Sequence, residues 1–217
     1  MKKLLTALAA TSALALGAGV SLNAQDAPAE MPGQVDLSRV TAGTYATDPA
    51  HTLVEWEVSH FGFNPYVGLF GDAEGTLTID PADIAATQLD VSVPINSLAV
   101  VSEGLRDHML RPGEDGAEPD FFGPDAGMAR FVATDVRRVT NTSALASGDL
   151  TMNGVTRPLA MLVEFTGAGT NPMSEAETIG FTGHATITRS EYGIAYAVPM
   201  VSDDVELTIS AAFEKQD

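Results

Sequence analysis

The sequence predicts an all-β domain, folded as an antiparallel barrel or sandwich of about eight strands. Three observations support this prediction. Apolar and polar residues alternate with a period of two along most of the chain after residue 43, as they do in a sheet with one face on a core. Turn-forming pairs separate these runs at short intervals. A helical pattern occurs in one short segment, residues 102–110. A closed barrel would also leave no sheet edge exposed.

Two runs illustrate the alternation, and the last is the clearest. In the first, Val54, Trp56 and Val58 alternate with Glu55 and Glu57. The last run alternates acidic or hydroxyl residues with one apolar parity, made of Val205, Leu207, Ile209, Ala211 and Phe213. Further runs with a single apolar parity are residues 89–95, 159–165 and 179–187. These patterns predict strands with one polar and one buried face.

Turn-forming residue pairs mark the ends of the predicted strands. Asn153-Gly154 predicts a type I′ hairpin, and Asp80-Pro81 and Asn171-Pro172 mark other breaks. Within residues 102–110, Ser102 is suited to cap a short helix whose apolar residues Leu105 and Met109 are four apart. An acidic loop rich in Pro and Gly follows. Because residues 102–120 form the longest interruption between strands, we expect them to border the mouth of any cavity.

The N-terminus predicts export. Residues 1–24 combine Lys2 and Lys3 with a Leu/Ala-rich apolar stretch and end in the small residue Ala24, which is the layout of a cleaved signal peptide. Residues 25–42 have no periodicity and are predicted to be an N-terminal linker. Residues 43–217 are predicted to form one domain. The expected location of the mature protein is the periplasm.

The amino-acid composition excludes several classes of function. The chain has no cysteine, which excludes disulfides, thiolate nucleophiles and Cys-ligated zinc. It carries 29 Asp and Glu against 11 Lys and Arg, for a net charge of −18. Cleavage of the signal peptide would remove two of those cations. So acidic a surface repels nucleic acid, and we expect no nucleic-acid partner.

No catalytic or metal motif is evident. GxSxG, HExxH, SxxK, P-loop and GxGxxG patterns are absent. No helical metal-ligand spacing joins any two of the four histidines, which are His51, His60, His108 and His184. Asp48 and His51 could form a dyad near Ser59, but an aspartate that stabilises a turn explains Asp48 more simply. We therefore predict no catalytic residue, no metal and no cofactor.

The ordered set of short motifs resembles the YceI-like, polyisoprenoid-binding family over roughly residues 43–213. His60 is followed by Gly62, and the other matching segments are DPAHT at 48–52, VGLF at 67–70, RDHMLR at 106–111, DFF at 120–122, RFVAT at 130–134, GDLTMNGVTRPL at 148–159 and TRSEYGI at 188–194. One departure is the insertion PGEDGAEP at residues 112–119, where the family runs almost directly from the helix motif to the DFF motif.

The resemblance implies an eight-stranded antiparallel, lipocalin-like barrel with one short helix and an elongated apolar cavity. Family members are secreted to the periplasm and bind a polyisoprenoid or isoprenoid quinone lipid. Some are encoded near membrane b-type cytochromes, which makes such a cytochrome a candidate partner. No catalytic residue is carried over from the family. The oligomeric state stays open between a monomer and a homodimer.

The candidate ligand-binding residues are those whose position in the alternating pattern is expected to point into the barrel. They are Trp56, Val58, Leu77, Ile79, Leu89, Val91, Val93, Met161, Val163, Phe165 and Phe181. Each could equally be ordinary barrel core, so we expect about half of them to touch the lipid.

Two other functional classes compete with a lipid carrier. A small hydrolase or isomerase acting on a lipid in the same cavity would need a polar pair inside, whereas the inward parities are almost all apolar. A barrel embedded in the outer membrane would need two aromatic girdles, but aromatic residues make up 6% of the chain. It would also place Glu55 and Glu206 in lipid. A carrier is the function that the sequence favours.

Overall fold

A computed structural model describes residues 30–216 of the chain. The predicted signal peptide and the first residues of the predicted linker lie outside this range. The described residues form ten strands: β1 (Gly43–Thr47), β2 (Leu53–His60), β3 (Asn64–Phe70), β4 (Glu74–Ile79), β5 (Gln88–Pro94), β6 (Met128–Arg138), β7 (Ser143–Met152), β8 (Val155–Thr170), β9 (Glu177–Thr188) and β10 (Asp204–Lys215).

The ten strand segments form an eight-stranded barrel because two of its strands are interrupted. Both β1 and β2 pair with β10, at Tyr45–Lys215 and Trp56–Leu207, so they are two halves of one long strand. In the same way β3 pairs with β2 and β4 with β1. From β4 each strand then pairs antiparallel with the next along the chain, and β10 closes the barrel onto β1. The predicted antiparallel barrel is confirmed, and the alternative prediction of a sandwich is wrong.

The alternation read from the sequence explains the strand faces. In β2, Trp56 is buried next to exposed Glu55, and in β10 Val205 and Phe213 are buried while Glu206 is exposed. At the β7–β8 hairpin, Asn153 and Gly154 both have positive φ, 51° and 72°, as a type I′ turn requires.

Residues 30–216 contain one α-helix, α1 (Glu103–Leu110), which lies between β5 and β6. As predicted, Ser102 is its N-cap, and the Ser102 hydroxyl accepts a hydrogen bond from the Leu105 amide at 3.2 Å. At the other end, the Met109 carbonyl accepts from the amides of Phe122 and Gly123, which brings the two ends of the inserted acidic loop together. No helix among the described residues is long and apolar enough to cross a membrane.

The segment between β5 and β6 continues the barrel wall beside β3 and covers one end of the barrel. Strand β3 pairs with β2 along one edge, and its other edge meets residue Ala99 rather than β5, through paired Leu69–Ala99 backbone hydrogen bonds of 2.9 Å. Residues 95–127, which include α1, therefore cover one end of the barrel. We call it the helix end; the opposite end, where residues 31–42 lie, is the N-terminal end.

Part of the predicted linker packs on the N-terminal end. Gln34 forms a bridge with Ala168 of β8, with N–O distances of 3.0 and 2.9 Å. This crossing requires glycine in β8, because a Cβ at Gly169 would lie 1.9 Å from the Pro32 carbonyl oxygen. The lack of hydrophobic periodicity predicts a linker. A segment that crosses the end of a barrel also lacks periodicity, because it is not a strand with one buried face.

A hydrogen-bond network around the buried Tyr45 holds the same segment in place. The fully buried Tyr45 donates from its hydroxyl to Glu177 at 2.5 Å, and Glu177 also accepts from the Thr41 amide at 2.9 Å. Burial, together with the hydrogen bond to Glu177, raises the pKa of Tyr45 to about 12. These contacts tie the chain entering β1 to β9.

A candidate lipid cavity

One apolar cavity of about 710 Å³ occupies the barrel. Its wall is overwhelmingly apolar and extends from Leu37 and Val40 at the N-terminal end to His108 and Phe121 at the helix end. Two core clusters surround it, one around Tyr45 and Phe213 toward the N-terminal end and one around Trp56, Met109 and Tyr192 toward the helix end. A cavity of this size lies within the range of small-ligand sites.

The cavity wall contains all eleven residues that the sequence singled out. They are Trp56, Val58, Leu77, Ile79, Leu89, Val91, Val93, Met161, Val163, Phe165 and Phe181. The strand parity brings them together because alternate side chains of every strand point to the barrel interior. Whether each one touches a bound molecule stays a prediction.

The ends of the cavity were not predicted residue by residue. At the helix end the wall includes Leu105, Met109, Phe122 and Tyr196, and at the N-terminal end it includes Leu37. The helical pattern in residues 102–110 was the available signal for the first group. The acidic loop takes no part, since no residue between 110 and 120 lines the cavity. Helix residues Leu105, His108 and Met109 therefore line the cavity, and a place for residues 102–120 at its mouth stays a prediction.

A His–Asp pair lies at the helix end. The Nε2 atom of His108 is 2.7 Å from an oxygen of Asp120, and Arg111 approaches the same oxygen at 3.5 Å. The hydrogen bond from His108 holds the pKa of Asp120 below its usual value. The His108 ring packs edge-on against Phe121 and Tyr196, at centroid distances of 5.2 and 4.9 Å. His108, Phe121 and Tyr196 therefore pack together where α1 meets the loop before β10, and we call this cluster the aromatic rim.

A buried arginine holds that loop. The guanidinium of Arg189 is 5% exposed and donates to the carbonyls of Ser202, Ile194 and Val201 at 2.9–3.0 Å. Burial lowers its pKa, while the charge of nearby Asp203 acts in the opposite direction. Because these three bonds engage Nε and both terminal nitrogens, Arg189 organises the loop rather than anchoring a ligand. This gives a structural reason for the TRSEYGI motif.

A few polar residues line the cavity at its N-terminal end. Arg138, Asn141 and Thr142 belong to the β6–β7 hairpin that borders the cavity there. Arg138 donates from Nη1 to the Asn141 carbonyl at 3.3 Å, a bond within the hairpin itself. The charged group therefore sits at the rim, and the cavity interior stays apolar.

The Asp48–His51 pair forms, but as part of a turn. His51 Nδ1 lies 2.5 Å from Asp48, which also accepts from the Ala50 amide at 3.0 Å. The His51 side chain is 73% exposed, and Ser59 lies near the far end of β2. Within residues 30–216 no three His, Cys, Asp or Glu side chains converge as metal ligands.

Comparison with known proteins places the chain in a family. Residues 45–213 match the model of the YceI-like domain. A UPF0312 protein of Shewanella oneidensis is 34% identical over 173 residues, which cover 78% of this chain and 86% of the relative. A UPF0312 protein of Ectopseudomonas mendocina is 32% identical over 173 residues, with the same coverage of 78% and 86%.

Solved structures share the fold at lower identity. Burkholderia cenocepacia BcnA matches with a TM-score of 0.65 and 19% identity, covering 76% of this chain and 98% of that one. A polyisoprenoid binding domain from Saccharophagus degradans, implicated in plant cell wall breakdown, matches with a TM-score of 0.57 and 12% identity, covering 79% and 98%. The family model and the sequence relatives carry the assignment: the chain belongs to the YceI-like family.

Proposed function

We propose that this protein is a non-catalytic periplasmic carrier that binds the chain of a long apolar lipid, a polyisoprenoid or an isoprenoid quinone. The observation that carries the proposal is the apolar cavity of about 710 Å³ inside the barrel. The polyisoprenoid binding domain that shares the fold supports the choice of lipid class.

Apolar burial is sufficient for binding. At about 30 Å³ per carbon group the cavity of about 710 Å³ holds about 24 carbons, which at about 0.3 kcal/mol per non-hydrogen atom would gain about 7 kcal/mol, or micromolar affinity. A charged anchor inside the barrel is therefore unnecessary. It would also be costly, because an unpaired charge in an apolar environment loses its hydration.

A carrier fits the site better than an enzyme does. The charged side chains that reach the cavity lie at its ends or, like Arg189, are engaged by backbone carbonyls. The hydrolase or isomerase alternative would need a polar pair beside the lipid chain, whereas the His108–Asp120 pair is packed into the aromatic rim. The periplasm and a membrane b-type cytochrome as donor or acceptor of the lipid belong to the same proposal.

The fluorescence of Trp56 tests the proposal. Trp56 is the one tryptophan of the chain, and it lines the cavity. Titration of the delipidated protein with a long-chain quinone should quench it saturably, because a bound quinone lies in the same cavity as the indole. An isoprenoid hydrocarbon that does not quench should restore the signal by competition. Quenching no stronger than that of N-acetyltryptophanamide would count against a quinone in this cavity.

A further inference from the structure

Two adjacent loops at the helix end of the barrel expose apolar side chains to solvent. Phe61 and Phe63 belong to the β2–β3 turn, and Tyr196 and Met200 belong to the loop before β10, with exposed fractions of 44%, 87%, 47% and 57%. The loops are joined, because the Phe61 amide donates to the Met200 carbonyl at 2.8 Å. We call these four residues the apolar lip. Single exposed apolar residues are common, whereas a contiguous group of them indicates an interaction site.

The apolar lip carries no charge, although the chain is strongly acidic. Residues 58–71 and 192–202, which contain the two loops, have no Asp, Glu, Lys or Arg, while 18% of the whole chain is charged and its net charge is −18. Carboxylates lie to one side, where Glu57, Asp204 and Glu206 border a shallow groove beside the lip. An uncharged surface with an acidic border is suited to an apolar partner and repels an anionic one.

The backbone of Phe61 is strained for a residue of its size. Its φ is 55°, in the left-handed region that glycine and asparagine adopt at lower cost and that bulky residues rarely adopt. Because the side chain is 44% exposed, burial within the fold offsets little of that strain. Strained residues of this kind cluster at functional sites. Binding therefore explains a phenylalanine at this position better than folding does.

The apolar lip is continuous with the cavity. Phe61 and Tyr196 are exposed and also line the cavity, so one apolar surface runs from the barrel interior to solvent. The N-terminal end differs, because the exposed residues that line the cavity there are Arg138 and Asn141. Met173 is an exposed apolar residue at that end, but it does not line the cavity. A hydrocarbon chain that passes over the lip therefore stays in contact with apolar side chains and out of water.

We propose that the apolar lip docks on the surface of a lipid bilayer, and that lipids enter and leave the cavity at the helix end. Projecting side chains such as Phe63 insert among fluid lipids, which adapt to their shape, whereas a protein partner needs a complementary surface. The acidic border favours a zwitterionic bilayer over an anionic one. This inference rests on the proposed lipid-binding function and adds the surface through which the carrier meets a membrane.

Flotation with lipid vesicles tests the docking. The full chain is expressed in a bacterium and delipidated, and intact mass confirms that all proteins compared share one N-terminus. We expect the double variant Phe63→Ser/Met200→Ser to bind phosphatidylcholine vesicles at least about tenfold more weakly, equivalent to about 1.4 kcal/mol, because two apolar side chains no longer leave water. Including phosphatidylglycerol as half of the lipid should weaken docking at low ionic strength, and added salt should restore it.

A second double variant, Val139→Ser/Met173→Ser, is the matched control. Its two residues are 59% and 90% exposed at the N-terminal end, and we expect vesicle binding to stay unchanged. None of the four substituted residues lines the cavity, so displacement of a fluorescent fatty acid in solution should be the same for all three proteins.

Several results would overturn the docking while lipid binding stands. They are equal vesicle binding by all three proteins, a loss in the control variant alone, stronger docking on phosphatidylglycerol, and no vesicle binding by the unmodified protein. A dimer that sedimentation velocity detects, and that the lip variant dissociates, would show that a second copy covers the lip instead. Binding to vesicles without binding of the fatty acid would refute the proposed function, and with it the entry of lipids at this end.

Discussion

The affinity for isoprenoid quinones is expected to rise about tenfold with each added isoprene unit until the cavity is full. A five-carbon unit at about 0.3 kcal/mol per non-hydrogen atom contributes about 1.5 kcal/mol, close to one factor of ten. The cavity volume of about 710 Å³ sets the limit. At about 30 Å³ per carbon group, the share of a water molecule in the liquid, it holds roughly five units.

A chain-length series measures this directly. Quinones with two, four, six and eight isoprene units are compared by displacement of one fluorescent lipid from delipidated protein, below the concentration at which each quinone aggregates. The affinity should climb steeply between two and four units and level off beyond about five. An affinity independent of chain length would show that the head group alone is bound, and the apolar-cavity account would be wrong.

The second large effect is expected from Val163→Asp. Val163 lines the cavity between Ala144 of β7 and Gly183 of β9, so the new carboxyl would face apolar surroundings. Its desolvation costs several kcal/mol or raises its pKa until the group stays neutral. Lipid affinity should therefore fall at least about tenfold, for which about 1.4 kcal/mol suffices. Displacement titrations at pH 7, on protein whose fold is checked by circular dichroism, measure the loss.

A surface variant serves as the matched control. Glu206 is exposed on β10 and lies opposite Glu57, so Glu206→Lys changes the charge outside the barrel and removes a like-charge pair. Exposed charges act weakly and are screened by salt, and binding should change little. If Val163→Asp does not fold, the near-isosteric Val163→Thr gives a smaller loss in the same direction. Loss of binding in Glu206→Lys alone would mean that inside and outside are exchanged.

The residues of the barrel wall could be predicted from the sequence because apolar and polar residues alternate along each strand. In β2, Trp56 and Val58 share a parity opposite Glu55, and the structure places both on the cavity wall. The same period identified Phe181, on β9. Bulges shift the register between Phe165 and Gly167 and between Ala133 and Asp135, but the predicted residues of β8 all precede its bulge.

The ends of the cavity could not be predicted because loops carry no period. The lack of periodicity before β1 predicts a linker, yet Leu37 and Val40 of that segment line the cavity. His108 was weighed only as a metal ligand, and its pairing with Asp120 depends on how residues 111–119 fold back.

The most direct test of the central claim is to identify what the protein carries. The full chain is expressed in a bacterium, purified without detergent and extracted with organic solvent for mass spectrometry, and the Val163→Asp variant is purified in parallel. The account predicts about one neutral isoprenoid lipid per folded protein, consistent with a barrel that holds a single ligand, and a strongly reduced load in the variant. An extract with no isoprenoid above the level found in Val163→Asp, or a polar small molecule in its place, would contradict the claim.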